Sequence, residues 1–216
     1  MLFMPDSLDD LQIESTGRGV LVGMTGSGKT TLARVLLRPF RYVAIYDAKG
    51  LIYWPGYERV ETLREVVRSK SEKICYAPRA QELRDEGYID GFFEWSYTRQ
   101  NTFVYVDEVY AVTQRLEIPP FYHAILTRGR ERGNGLLSAT QRPMLIPSVI
   151  MSESENWYIF RLGMETDRRK VEACIGLKSE RIADLPKRRF YYVRADEALI
   201  SPQLTLNLRE RKLLTA

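Results

Sequence analysis

Histidine occurs once in this chain, at His123, and cysteine twice, at Cys75 and Cys174. A single imidazole excludes a site built from several histidines. Two distant thiols without metal-type spacing exclude a zinc knuckle or a disulfide framework. Both cysteines are expected as buried, reduced thiols of a cytoplasmic protein. Long hydrophobic runs are missing too: none approaches the roughly 20 residues that span a bilayer, so no membrane insertion is expected. The opening MLFMPDSLDD is apolar for only a few residues and then acidic, unlike a signal peptide. No repeat, low-complexity tract or interdomain linker stands out. Excess charge is small as well. A net +4 and a pI near 9.0 allow a polyanionic partner without pointing to one.

What the chain does contain is short apolar runs alternating with amphipathic ones. Strands are expected at residues 19–22, 42–46, 73–77, 102–106, 136–139, 157–161 and 190–193. Most are continuous β-branched or aromatic runs without polar alternation, as in strands covered on both faces. Helices of two to four turns fit residues 30–37, 61–70, 80–95, 120–130 and 167–175. The alternation predicts an α/β fold, a mostly parallel central sheet with helices on both faces. Residues 1–16 read as an N-terminal extension, 17–201 as one domain and 202–216 as a basic tail. In such sheets ligands sit beyond the carboxyl ends of the strands.

The first expected strand runs into G23-M-T-G-S-G-K-T30, a full match to G-x-x-x-x-G-K-[ST]. Glycines let the backbone wrap so that successive N–H groups face phosphate oxygens, and the following helix adds the positive end of its dipole. Thr25, Gly26, Ser27, Gly28, Lys29, Thr30 and Thr31 are therefore the candidate nucleotide-binding residues. Lys29 is expected to bridge the β- and γ-phosphates of ATP, with the Thr30 hydroxyl on Mg²⁺.

A second signal is the pair Asp107–Glu108, delivered by the apolar run T102-F-V-Y-V. Asp107 suits the Mg²⁺ side, where a carboxylate is needed near the metal's waters, and Glu108 suits polarisation of an attacking water. A third is Gln141, in the stretch T140-Q-R-P143 after the next expected strand. Its amide suits a reporter of the γ-phosphate and of that water, and its strand end is expected to face the same crevice.

Superfamily-two helicases share the phosphate loop and the S138-A-T140 triplet, but they need a second ATPase-like domain, and the residues after Thr140 are expected to be too few for one. The FtsK–HerA superfamily of DNA-pumping ATPases is resembled more fully, over residues 18–194. "VLVGMTGSGKTTLARVLL" looks like its phosphate loop, "DAKG" at 47–50 is similar to its D-x-K-G, and "FVYVDE" resembles its acidic strand. "RGRERGNGLLSATQRP" is similar to its helix, strand and glutamine motif, and "ADLPKRRFYYV" to its closing L-P and aromatic strand.

The resemblance implies a RecA-like ATPase with ATP and Mg²⁺ as cofactors, assembled as a homo-oligomeric ring around double-stranded DNA. In such a ring an arginine of one subunit reaches the γ-phosphate of the next. Arg130 matches the G-R-x-x-G arginine, Arg128 is the second candidate, and Arg142 could face a neighbour too. Arg168–Lys170 and Lys187–Arg189 are basic runs suited to DNA phosphates. No membrane segment, N-terminal barrel or winged-helix module is expected to accompany the motor. The expectation is a bare motor packaging a viral genome at a capsid or portal vertex in the host cytoplasm. A cellular DNA-processing motor and a nucleotide switch that does not pump remain alternatives.

Overall fold

The computed structural model describes residues 5, 9–113, 116–207 and 212–215. In chain order its strands and helices are β1 (Arg18–Val22), α1 (Lys29–Leu36), β2 (Tyr42–Tyr46), β3 (Glu58–Val60), α2 (Leu63–Arg68), β4 (Lys73–Tyr76), α3 (Glu86–Thr98), β5 (Thr102–Val106), α4 (Pro120–Arg128) and β6 (Gly135–Thr140). They continue with α5 (Ser148–Ser152), β7 (Asn156–Phe160), α6 (Glu165–Ile175), α7 (Ser179–Ala183), β8 (Arg189–Arg194), β9 (Leu199–Ile200), β10 (Leu204–Asn207) and β11 (Lys212–Thr215). The mixed α/β class with a mostly parallel sheet is as expected. Every strand predicted from the sequence is present within one residue at each end.

The chain divides into two compact units. One comprises residues 1–13, 18–38 and 139–216, the other residues 14–17 and 39–138. In the second unit β3, β4, β2, β5 and the start of β6 pair in parallel; Tyr42 lies opposite Thr102, and Val106 opposite Ser138. Strands β2 and β5 are buried on both faces from Val43 to Tyr46 and from Thr102 to Val106, which explains their lack of polar alternation. An aromatic cluster of Tyr46, Tyr76, Phe92 and Phe93 packs α3 onto this sheet, with ring centroids 5.3–5.9 Å apart.

In the first unit β1 pairs with β7 in parallel, and β7 pairs with β8, β8 with β10, and β10 with β11, all antiparallel. Residues 202–216, expected as a basic tail, thus contribute two strands. The N-terminal residues are tied in as well. Leu11 and Ile13 are buried, and the Tyr158 hydroxyl donates to the Leu11 carbonyl.

Three local features depart from expectation. The helix expected over 80–95 is split at Asp85, which takes an extended backbone and caps α3 by accepting from the Gly87 N–H at 2.8 Å. The helix expected to Arg130 ends at Arg128 and gives way to a tight 3-10 turn, Gly129–Arg132. Cys75 is buried as expected, and burial pushes its thiol up to about 12; Cys174, expected buried, is exposed on α6.

Candidate nucleotide site

The phosphate loop spans the six-residue turn between β1 and α1. Gly23 stands where any Cβ would come within 2.5 Å of the Phe160 Cβ, so the close passage of β1's end over β7 demands glycine. Gly28, at the start of α1, holds φ +118°, and a side chain there would meet the Phe160 ring. The motif glycines are therefore required by this backbone whether or not a ligand is bound.

Lys29 is buried and folds back over the loop, donating to the Gly23 carbonyl at 2.6 Å and the Met24 carbonyl at 3.0 Å. A buried ammonium needs acceptors. Here the loop supplies neutral ones, which anionic phosphate oxygens would better. The Ser27 hydroxyl is buried without a hydrogen-bond partner. An orphaned hydroxyl in a glycine-rich turn fits a phosphate-bearing ligand, and Thr30 and Thr31 follow it on the first turn of α1.

The third signal meets the first. Thr25 Oγ1 donates to Gln141 Oε1 at 2.6 Å, so the amide after β6 touches the tip of the phosphate loop directly. Backbone contacts set that approach: Gly23 N–H donates to the Thr140 carbonyl at 3.2 Å, and Arg142 N–H to Thr140 Oγ1 at 3.1 Å. Arg142, expected as a possible contact to a neighbour, is held within its own chain by buried Asp167 at 2.9 Å. The same carboxylate takes the Met144 N–H. Arg142 is the anchor that keeps the glutamine loop in place.

The acidic pair belongs to the second unit. Asp107 accepts from the buried Tyr105 hydroxyl at 2.9 Å. Burial, and then the Asp107 charge, raise that phenol well above its ordinary value, so it remains an O–H donor. Glu108 is nearly buried, and the Lys49 ammonium lies 3.8 Å from its Oε2. Sequence reasoning gave the D-A-K-G motif no role. The structure supplies one: the fully buried Asp47 carboxylate accepts from the N–H groups of Lys49, Gly50 and Ile52 at 3.0–3.2 Å. Asp47 thereby folds the turn that presents Lys49 to Glu108.

Arg128 and Arg130 are both exposed, one ending α4 and the other in the turn after it. That turn is shaped by its flanking glycines. A Cβ on Gly129 would meet the Asn134 carbonyl at 2.9 Å, and one on Gly133 would collide with the Asn101 side chain. Asn134, which no sequence signal singled out, is fully buried. It accepts from Thr102 N–H at 3.0 Å and donates to the Ser96 and Tyr97 carbonyls.

The basic runs expected to meet DNA make local contacts within the chain. Arg168 donates to the Leu162 and Gly163 carbonyls, Arg169 pairs with Glu165, and Lys170 donates to Ser148. Lys187 and Arg188 line a cleft together with the phosphate loop. Among the described residues no group of three or more His, Cys, Asp or Glu side chains could hold a metal unaided, and no helix is long and apolar enough to cross a membrane.

Fold and loop together define an α/β protein of the phosphate-loop type. The chain is similar in structure to the genome packaging NTPase B204 of Sulfolobus turreted icosahedral virus 2. For its complex with AMP the TM-score is 0.74 at 19% identity, covering 87% of this chain and 97% of that one. The bacterial conjugative coupling protein TrwBdeltaN70 is more distant, with a TM-score of 0.64 at 10% identity, covering 87% of this chain and 84% of that one. In sequence, the chain is 34% identical over 83 residues to the DNA packaging ATPase P9 of Enterobacteria phage PRD1. That match covers 38% of this chain and 35% of the phage protein, about a third of its length. No protein-family model matches.

Proposed function

We propose that this chain is an ATP-hydrolysing motor of the FtsK–HerA type that moves double-stranded DNA, packaging a viral genome into a preformed capsid. The observation that carries the reading is the contact of Gln141 with Thr25. It joins a phosphate loop to the residue best suited to feel whether a triphosphate is whole. Support also comes from the proteins it resembles, a DNA packaging ATPase of a phage and a genome packaging NTPase of a Sulfolobus virus.

In this reading Lys29 binds the β- and γ-phosphates, and the Thr30 hydroxyl and Asp107 would hold Mg²⁺, which would supply charge neutralisation for the transferred phosphoryl group. Glu108 takes the proton of the attacking water, kept in place by Lys49, while Gln141 orients that water. Arg130, or Arg128 beside it, acts on the nucleotide of an adjoining copy, so that hydrolysis requires the ring. The duplex runs through that ring, and a vertex protein of the capsid supplies the docking site in the host cytoplasm.

DNA-dependent ATP turnover tests the proposal. Duplex DNA of any sequence is expected to raise the rate, with affinity falling steeply as salt rises. Slow turnover indifferent to duplex would leave a nucleotide switch and remove the motor.

A further inference from the structure

Three cations on the rim of the phosphate loop lie outside its motif. Arg161 follows β7, while Lys187 and Arg188 sit in the turn that leads into β8. With Met24 to Ser27 and Pro186 they line one cleft of about 220 Å³, within a single unit of the chain. The lining holds three exposed cationic side chains and no carboxylate.

Backbone contacts fix this arrangement. The Met24 N–H donates to the Arg161 carbonyl at 3.0 Å, and the Arg189 N–H to the Pro186 carbonyl at 3.1 Å. Arg188 itself adopts φ +67°, a left-handed conformation that a long side chain seldom takes and that glycine would take freely. The turn accepts this strain and keeps arginine. On the same wall is Ser27, whose hydroxyl is more than nine-tenths buried and has no partner in the protein. Like charges gathered around an orphaned hydroxyl repel one another until an anion joins them.

Resting on the reading of the loop as a nucleotide site, we propose that Arg161, Lys187 and Arg188 are further nucleotide-binding residues. They contact the phosphate and sugar portion of a nucleoside triphosphate that Lys29 does not reach. Lys187 and Arg188 therefore serve the nucleotide and not the duplex. Hydrogen bonds from charged donors to phosphate are among the stronger ones, and exposure reduces their effect here.

The test compares ATP affinity and duplex affinity of the full chain carrying Lys187→Ala, Arg161→Ala or Arg188→Gly. The last substitution relieves the left-handed strain, so its thermal midpoint should hold or rise while its affinity drops, which separates loss of contact from loss of fold. Each variant is expected to bind ATP roughly 3- to 30-fold more weakly. KM should rise more than kcat falls, and duplex affinity should stay within about two-fold. Arg169→Ala, an exposed cation of the same unit paired with Glu165, should leave ATP affinity unchanged. Unaltered ATP affinity in all three cleft variants, or a loss of duplex affinity in its place, would overturn the inference. Failure of the unmodified chain to bind ATP would instead remove the nucleotide reading itself.

Discussion

The Thr25 hydroxyl donates to the Gln141 amide oxygen at 2.6 Å, linking a loop that follows the first strand to one that follows β6, 116 residues later in the chain. In the proposed reading Gln141 reports on the γ-phosphate from its place against the phosphate loop. Gln141 precedes Arg142, whose guanidinium is pinned by Asp167, so a shift of the amide has a fixed pivot beside it. Gln141→Ala is expected to lower ATP turnover by about 10²-fold while leaving ATP affinity nearly intact. Thr25→Val should lower it only a few-fold, and the double variant should be no slower than Gln141→Ala alone. Additive losses, seen in a steady-state rate comparison, would show that the two side chains act separately.

Glu108→Gln keeps the shape of the side chain and removes its capacity to take a proton. Turnover should fall by about 10² to 10⁴, with nucleotide still bound. Near-normal hydrolysis would take Glu108 out of the base role.

Lys49 faces that carboxylate across 3.8 Å and is itself half in solvent, so its effect should be modest. A partly exposed pair contributes at most about 1 kcal/mol, which converts to a loss of about five-fold in turnover for Lys49→Met. Lys49→Arg should restore most of it. A loss of several orders of magnitude would mean that Lys49 touches the reacting groups directly.

Arg130→Ala and Lys29→Ala should each abolish most activity alone, the arginine by about 10³-fold. Mixed, the two variants should recover part of it, because sites then form that pair an intact Lys29 with an intact Arg130. The absence of recovery at every mixing ratio would place the arginine's action within its own chain.

Asn134 tests the scaffold and not the chemistry. Replacing it with alanine leaves the Thr102 N–H and two carbonyls without their side-chain partner in the interior. The expected cost is about 2–4 kcal/mol, seen as a fall of about 5–15 °C in the thermal midpoint. A drop below about 2 °C would show that water replaces the amide.

Much of the fold was legible because its strands are buried on both faces. T102-F-V-Y-V and Y42-V-A-I-Y have no solvent side to encode, and their boundaries fall where polar residues begin. The unforeseen elements lack such runs: β3 is only Glu-Arg-Val, two of its three residues exposed, and β9 is two residues long. At the site, spacing revealed the phosphate loop because glycine geometry is local. It did not reveal what Asp47 or Asn134 does, since each bonds backbone groups that only folding brings near. The basic runs were less legible for a related reason. Charge alone gives no direction: Arg168, Arg169 and Lys170 each bond a group of their own chain, while Lys187 and Arg188 line a cleft with the phosphate loop.

Displacement of a third strand from a duplex reports movement along DNA most directly. With ATP and Mg²⁺, the unmodified protein should strip the third strand at a rate that depends on the length of duplex leading up to it, and the Glu108→Gln variant should leave it in place. Brisk DNA-stimulated hydrolysis by the unmodified protein with no displacement on any substrate would contradict the assignment of a DNA-moving motor.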